Sequence, residues 1–178
     1  MATNEANPIP EDGNPIHVCF VCTGNICRSP MAEGLFRAIT REHLPTARVS
    51  SAGTSAWPGQ AASPETLELL RLDGLDLPEF RSRPLDEQIL KEATHVFAMT
   101  RDHLRAIEAR FPEFADKAYL VTEFVADDRI RDSDVPDPIG LGLTAYKDTR
   151  NTLRLALPAV LAFVQQTTRA GSDSGSNT

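Results

Sequence analysis

The sequence alternates short apolar runs with longer amphipathic segments, and this alternation restricts the fold more than any other feature. Four runs have the length and apolar content of buried strands: 16–21, 47–53, 95–99 and 117–121. Helical periodicity follows or separates them over 31–44, 63–74, 85–93, 100–111 and 143–166. Strands that alternate with helices form parallel sheets. The sequence therefore predicts one α/β domain, with a four-stranded parallel sheet and helices on both faces.

Both ends of the chain differ from this patterned region. Residues 1–14 and 169–178 are polar and free of apolar periodicity, which is typical of disordered tails. The remaining residues, 15–168, have the length of a single domain. Within them, Ser63 and Pro64 are expected to begin a helix. Pro158 is expected to kink the last helix or to divide it in two.

Net charge and hydropathy exclude several classes of partner. The formal net charge is −7, so long-range attraction to nucleic acid or to an anionic membrane is not expected. No apolar run approaches the roughly 18 residues of a membrane span, and the polar start of the chain differs from a signal peptide. We therefore expect a cytoplasmic protein without a membrane or nucleic-acid partner. Nothing in the sequence indicates its oligomeric state.

All three cysteines lie between positions 19 and 27, so they are not expected to form structural disulfides. Cys19 and Cys22 have the spacing of a redox pair, but on a strand they point to opposite faces. A zinc site is not expected either, because no second cluster of cysteine or histidine supplies further ligands. We therefore expect Cys19 to be a core residue and expect no metal or cofactor.

The segment CTGNICRSP, residues 22–30, joins the first predicted strand to the first helix and contains no acidic side chain. Gly24 and Asn25 adopt turn conformations readily, so successive backbone N–H groups can point inward. Ser29 is expected as the N-cap and Pro30 as the first helical residue, which directs the positive end of a helix dipole into the loop. This pattern predicts a site for a tetrahedral dianion.

Arg28 and Cys22 give that site its chemistry. The arginine fork suits two oxygens of a phosphoryl group, and the surrounding positive charge favours the thiolate form of the cysteine. A thiolate beside a bound phosphoryl group can carry out covalent phosphoryl transfer. A nucleotide-binding Walker A loop is excluded, because no lysine stands in a GxxxxGK[ST] pattern. The alternative is a buried cysteine in a strand-to-helix turn, which leaves the glycine and the arginine unexplained.

The segment VCTGNICRSPMAEGLF resembles the phosphate-binding loop of the low-molecular-weight protein tyrosine phosphatases. The likeness extends to SSAGTSAW (50–57), FAMTRDHL (97–104) and DPIG (137–140), so it covers about residues 16–165. It implies a nucleophile at Cys22, with Arg28 and the loop amides holding the phosphoryl oxygens. It also implies that Asp137 is the general acid, and later the base that activates water.

Further roles follow from the same resemblance. Asn25, in a network with Ser51, holds the loop in shape, and the Ser29 hydroxyl stabilises the departing Cys22 thiolate. Cys27 either forms a protective disulfide with Cys22 or is a packing residue. The remaining phosphate-binding and loop-supporting positions are Thr23, Gly24 and Ile26. Other aspartates that could reach the loop are interpreted as a solvated acidic loop: Asp127, Asp128, Asp132 and Asp134.

Substrate choice depends on a few positions around the loop. Trp57 and Ile139 are expected to form walls of the substrate pocket, which in the case of Trp57 favours a flat leaving group. Ile26 resembles the tyrosine-directed members, whereas arginine-phosphate phosphatases on this fold carry threonine there. The predicted partner is therefore a phosphorylated protein carrying phosphotyrosine.

Two alternatives stay open. The segment PDPIG…YKDTR is closer to the bacterial arginine-phosphatase branch, and a phosphate-binding regulatory module without turnover is the hypothesis from another class. Phe80 stands where many members have a histidine, and Ile139 and Gly140 stand where tyrosines are usual. Thioredoxin-coupled arsenate reduction is set aside, because no cysteine follows Cys27.

Overall fold

The computed structural model describes residues 15–173, so the predicted tail at 1–14 and residues 174–178 lie outside the described residues. Four strands form one parallel sheet in the order β2-β1-β3-β4. Their bounds are β1 His17–Cys22, β2 Arg48–Gly53, β3 His95–Ala98 and β4 Ala118–Leu120. The prediction of a four-stranded parallel sheet in a single α/β domain is confirmed.

Within residues 15–173, five α-helices and one 3-10 helix accompany the sheet. Their bounds are α1 Arg28–His43, α2 Pro64–Leu72, α3 Glu87–Glu92, α4 Arg101–Arg110, the 3-10 helix Pro112–Lys117, and α5 Gly142–Asp173. Alternate residues of β1 divide the core between two faces. Val18 and Phe20 pack in one cluster with residues of α1, α2 and α5, whereas Cys19 and Val21 pack in another with residues of α3 and α4. Helices therefore cover both faces, as predicted.

The register brings the carboxyl ends of three strands together. Cys22 at the end of β1 pairs with Gly53 at the end of β2, and Val21 pairs with Ala98 at the end of β3. The loops that follow these strands therefore meet at one edge, where parallel α/β sheets bind their ligands. No helix within residues 15–173 is long and apolar enough to cross a lipid bilayer.

One of the two predicted helix starts differs from the structure. Helix α1 begins at Arg28, so Ser29 is a helical residue and not the N-cap. Its hydroxyl has other partners in the loop, which leaves it unavailable as a cap. The Ser63 prediction fits the structure, since its Oγ accepts a hydrogen bond from Thr66 N at 3.3 Å.

The last helix is longer and less interrupted than predicted. Helix α5 runs through Pro158 without a break, so of the two outcomes expected there, a kink or a division, the division is wrong. A proline removes one backbone donor, and burial of the residues around it, including Leu157 and Val160, holds the helix together. The helix also reaches Asp173, seven residues past its predicted end at 166 and into the stretch 169–178 that was predicted to be a disordered tail, because each added residue gains a backbone hydrogen bond.

Three histidines are buried in neutral form: His17, His95 and His103. His17 Nε2 lies 2.7 Å from Ser50 Oγ, and His95 lies between the hydroxyls of Thr94 and Thr167, at 2.9 and 2.8 Å. Burial is the main cause that lowers the pKa of each imidazole from 6.5 to about 4. Folding therefore keeps these side chains unprotonated at pH values where the unfolded chain binds protons.

Acidification is expected to lower the free energy of unfolding as the pH falls from the unfolded pKa of 6.5 towards the folded pKa of about 4. Above that window the contribution is fully present, because neither state holds the proton. Urea unfolding at a series of pH values between about 7 and 5 measures the slope. His95→Gln should reduce the slope, whereas His43→Gln, at an exposed position, should not. Equal slopes in the two variants would contradict this explanation.

Candidate active site

The loop between β1 and α1 turns its carbonyl groups outward. Cys22 O accepts from Thr54 N at 2.9 Å, Thr23 O from Ser55 N at 3.0 Å, and Ile26 O from Ser63 N at 2.8 Å. Asn25 has a left-handed backbone with φ 55°, which allows the reversal in direction. The N–H groups of four consecutive residues donate no hydrogen bond within residues 15–173: Gly24, Asn25, Ile26 and Cys27. The loop therefore offers a set of backbone donors to an anion.

Cys22 lies at the base of this loop, at the end of β1. Its side chain is buried, and its Sγ is 3.0 Å from Ser29 Oγ. Asn25 Nδ2 donates to Ser29 Oγ at 2.9 Å and to Ser51 Oγ at 2.8 Å. Because an amide nitrogen only donates, Ser29 Oγ accepts from Asn25, and its own hydrogen is available to the sulfur. That is the direction that a thiolate requires.

The same network continues into the core. Ser51 Oγ donates to Glu33 Oε2 at 2.5 Å, and Glu33 Oε1 forms an ion pair with Arg37. Asn25 Oδ1 accepts from the Arg83 backbone N at 2.9 Å, which fixes the orientation of the amide. Burial raises the pKa of the Glu33 carboxyl, while the Ser51 hydrogen bond and the Arg37 charge oppose this.

Sequence reasoning singled out neither Glu33 nor Arg83. The Glu33–Arg37 spacing of four on a helix was the available signal for the first, since such pairs lie side by side on one face. Arg83 contributes chiefly a backbone group, which sequence does not reveal. Phe80, at the position where many members have a histidine, is half-buried and packs against the core. Glu33 and Arg83 complete the loop-supporting network in this chain.

Gly53 sets the distance between β2 and the loop. A Cβ atom at this position would lie 2.4 Å from Thr23 O and 3.0 Å from Asn25 N. Both neighbours are backbone atoms, so no side-chain rotation could make room. Glycine is therefore required for the loop to rest on the end of β2.

Arg28 and Asp137 face each other beside the loop. Arg28 is 5% exposed, and its Nη1 donates to Val135 O at 3.0 Å. Its Nη2 lies 3.3 Å from Asp137 Oδ2, and the Asp137 side chain is 45% exposed. The structure thus places a carboxylate that solvent can reach next to the arginine of the loop.

The neighbouring aspartates have other partners. Asp127 pairs with Arg129 at 2.6 Å, Asp128 with Arg131 at 2.9 Å, and Asp134 with Arg101 at 3.7 Å. The backbone carbonyl of Asp132 accepts from Arg101. These arrangements fit the interpretation of a solvated acidic loop. Within residues 15–173, no group of three or more histidine, cysteine, aspartate or glutamate side chains is arranged to hold a metal ion.

A cleft of about 300 Å³ opens beside the loop, lined by Thr23, Arg28, Thr54, Thr100, Asp102 and His103. His103 Nε2 lies 2.8 Å from Thr23 Oγ1, and His103 Nδ1 lies 2.9 Å from Thr100 Oγ1. Burial, followed by the Arg28 charge, lowers the pKa of His103 to about 4, so the ring is neutral at pH 7. His103 was not among the residues that the sequence pattern indicated. Its position in the first turn after β3, at the functional edge of the sheet, was the signal that could have identified it.

Cys27 and Cys19 are free and buried. Cys27 Sγ lies 3.0 Å from Tyr146 Oη on α5, and burial raises the pKa of the Cys27 thiol. Burial and the contact with Cys27 raise the pKa of Tyr146 to about 12. Cys19 is a core residue whose pKa burial raises to about 11. In this structure Cys27 is therefore a protonated thiol held by the last helix.

The predicted pocket walls are mostly exposed. Trp57 is 75% exposed on the loop after β2, and its backbone carbonyl accepts a hydrogen bond from Ser82 Oγ at 2.6 Å. Ile139 is 54% exposed, close in sequence to Asp137. Ile26 is half-buried against the core at the loop itself. Apolar surface therefore lies on three segments that border the functional edge.

Comparison with known proteins gives a consistent result. The family model of low molecular weight phosphotyrosine protein phosphatases matches residues 17–170. A protein-arginine-phosphatase of Bacillus subtilis is 39% identical over 136 residues, which cover 76% of this chain and 88% of that protein. A low molecular weight protein-tyrosine-phosphatase of Streptomyces coelicolor is 36% identical over 156 residues, covering 84% and 93%.

Solved structures agree with these matches. The arginine phosphatase YwlE from Geobacillus stearothermophilus superimposes with a TM-score of 0.77 at 35% identity, over 88% of this chain and 97% of that one. YfkJ from Bacillus subtilis superimposes with a TM-score of 0.80 at 28% identity, over 87% and 98%. The family match spans both the loop that surrounds Cys22 and the segment that carries Asp137. The chain therefore belongs to the low molecular weight phosphotyrosine protein phosphatase family.

Proposed function

We propose that the protein is a metal-independent protein phosphatase that hydrolyses phosphotyrosine through a phosphocysteine intermediate. The observation that carries the proposal is the position of the Cys22 sulfur, at the base of a loop of free backbone donors and 3.0 Å from the Ser29 hydroxyl. Its substrate is a phosphorylated protein. Its location is the cytoplasm, where free thiols such as these three persist.

The first step transfers the phosphoryl group to the enzyme. The Cys22 thiolate attacks phosphorus, so an S–P bond forms while the bond between phosphorus and the ester oxygen breaks. Arg28 and the loop amides hold the equatorial oxygens, where negative charge is concentrated. Asp137 gives its proton to the leaving phenol oxygen, a role that its partly exposed side chain beside Arg28 supports.

The second step releases phosphate. Asp137, now ionised, takes a proton from water as the water oxygen attacks phosphorus and the S–P bond breaks. Cys22 departs as a thiolate that accepts a hydrogen bond from Ser29. The fixed Asn25 amide keeps the Ser29 hydroxyl in this orientation through both steps.

Ile26 supports phosphotyrosine as the substrate. Its apolar side chain lies in the loop, and it offers no hydroxyl to a guanidinium-bearing group. A second candidate, protein arginine phosphatase activity, is favoured by the identity to relatives that carry that name in two Bacillaceae species. A phosphate-binding module without turnover is disfavoured, because a nucleophile, an arginine and an acid are all present.

Phosphate release from phosphotyrosine and phosphoarginine peptides of equal length separates these functions. With Cys22→Ser protein as the blank, faster release from phosphotyrosine is expected. Ile26→Thr should move the preference towards phosphoarginine by about tenfold, since a single hydrogen bond to the guanidinium group is worth about that factor. Ile26→Val is the matched control and should keep the wild-type preference. Faster phosphate release from the phosphoarginine peptide by the wild type would support the second candidate. If neither peptide releases phosphate, the phosphate-binding module without turnover is the remaining hypothesis.

Asp137→Asn removes the proposed acid while keeping its shape. We expect the rate with phosphotyrosine to fall by about 100-fold or more, because general acid catalysis contributes on that order. The loss should be smaller with p-nitrophenyl phosphate, whose leaving group needs less protonation. Asp134→Asn, which alters an aspartate paired with Arg101, should stay within about twofold. Similar losses in the two variants would assign the acid role elsewhere.

Cys27 is proposed to protect Cys22 by forming a disulfide during oxidation. Peroxide inactivation of the wild type should then be reversed by dithiothreitol, whereas inactivation of Cys27→Ala should be irreversible, since its Cys22 is oxidised further. Cys19→Ala, which removes a buried thiol of the other core cluster, should recover like the wild type. Equal recovery of Cys27→Ala and the wild type would make Cys27 a packing residue.

A further inference from the structure

A group of arginines surrounds a cavity of about 450 Å³ that borders β2. Four of the 15 arginines of the chain line it: Arg37, Arg48, Arg81 and Arg83. Two carboxylates, Glu33 and Glu79, line the same space. Four positive charges against two negative charges leave a formal charge of +2 among the lining residues, and +1 when Glu92, which forms an ion pair with Arg48 at 2.8 Å, is included, in a protein whose net charge is −7. The cavity therefore attracts anions against the overall charge of the molecule.

The backbone of β2 adds donors to this cavity. β2 is an edge strand, and Arg48 N donates to Ile16 O while Thr54 N donates to Cys22 O. In this parallel pairing, the backbone N–H and C=O groups of every second residue of β2, beginning with Arg48, face β1. Val49 and Ser51 line the cavity. Their N–H and C=O groups consequently face the outer edge of β2, on the side away from β1.

At the positions of Val49 and Ser51 the acceptors are occupied and the donors are not, whereas Gly53 N, farther along the same edge, donates to Arg83 O at 3.0 Å. Arg37 Nη2 donates to Val49 O at 3.4 Å, and Arg83 Nε donates to Ser51 O at 3.0 Å. The N–H groups of Val49 and Ser51 donate no hydrogen bond within the described range 15–173. An added β-strand needs donors and acceptors in alternation, whereas an anion needs donors alone. The part of the edge at Val49 and Ser51 therefore suits an anion and not a strand.

We infer that this cavity is a second anion site, distinct from the candidate active site, which takes a phosphoryl dianion. Guanidinium forks match pairs of phosphoryl oxygens, and the two strand amides supply directed hydrogen bonds. Arg83 has a suitable fork, because only its Nε and its backbone groups have partners within residues 15–173. Inorganic phosphate and a phosphorylated protein side chain both present this dianion.

The site contacts the support of the phosphate loop. Glu33, Ser51 and Arg83 line the cavity and also hold Asn25, either directly or through one hydrogen bond. A dianion in the cavity would therefore bind to the side chains that keep the loop in shape. Binding of this dianion does not depend on whether the protein hydrolyses phosphotyrosine.

Backbone amide NMR can follow the two sites separately during a titration with inorganic phosphate. The amides of Val49 and Ser51 report on the cavity, and those of Gly24 and Asn25 report on the loop. Both pairs are expected to shift in the wild type. In Arg28→Ala the loop pair should lose its response, while the cavity pair keeps its midpoint. The second site is refuted if the Val49 and Ser51 amides shift only together with the Gly24 and Asn25 amides and no longer shift in Arg28→Ala.

Charge variants test the assignment of the cavity. Arg48→Ala combined with Arg81→Ala removes two exposed lining charges and should weaken the Val49 and Ser51 response at least about tenfold, with the loop midpoint unchanged. The control combines Arg41→Ala with Arg71→Ala, two exposed arginines that do not line this cavity, and should behave as the wild type. If both double variants weaken the Val49 and Ser51 response equally, the effect is explained by the change in net charge, and the proposed site is overturned.

The source of the dianion is distinguished with Cys22→Ser protein, which prevents turnover. A phosphoserine peptide and inorganic phosphate are titrated in parallel against the Val49 and Ser51 amides. A lower midpoint for the peptide supports a site for phosphorylated protein, and a lower midpoint for phosphate supports a site for the free ion. A response to neither ligand overturns the inference.

Discussion

The side chain of Asn25 connects the parts of the molecule on which the candidate active site depends. Its amide donates to Ser29 and Ser51, and its carbonyl accepts from the backbone of Arg83. These three bonds join α1, β2 and the segment after α2 at one point. They also support a left-handed residue, which costs conformational energy unless the surroundings hold it in place. The inward amides of the loop therefore depend on a neutral side chain that touches no substrate.

The network orients groups without conducting protons. It runs from Glu33 through Ser51 and Asn25 to Ser29 and ends at the Cys22 sulfur. The Asn25 nitrogen only donates, so a proton cannot pass from the sulfur to the buried carboxylate. Ser51 and Asn25 also separate the Glu33 carboxylate from the Cys22 sulfur. A buried carboxylate can thus stabilise the loop without taking up the thiol proton.

Sequence could predict those parts of the site that depend on chain order. Cys22 follows an apolar strand and was accessible from local pattern, whereas Asp137 was selected among five aspartates only by the resemblance to the family. Side-chain direction was less accessible. Ser29 has the identity of an N-cap, yet a thiol seven residues earlier and an amide four residues earlier take up its hydroxyl. Arg83 acts through its backbone, and His103 acts through Thr23, interactions that only the folded chain creates. The last helix is not divided at Pro158, because buried neighbours outweigh one lost hydrogen bond.

The close approach at Gly53 has a consequence for binding energetics. Since β2 and the loop touch backbone to backbone there, Thr23 and Asn25 cannot move towards β2 while the sheet stays intact. The entropy of ordering the loop is therefore lost when the protein folds, and not when a ligand arrives. An anion meets a receptor that is already rigid, so its affinity is not reduced by a cost of reorganisation. The same rigidity ties the site to the sheet, and it should lose its affinity for anions only when the sheet itself opens.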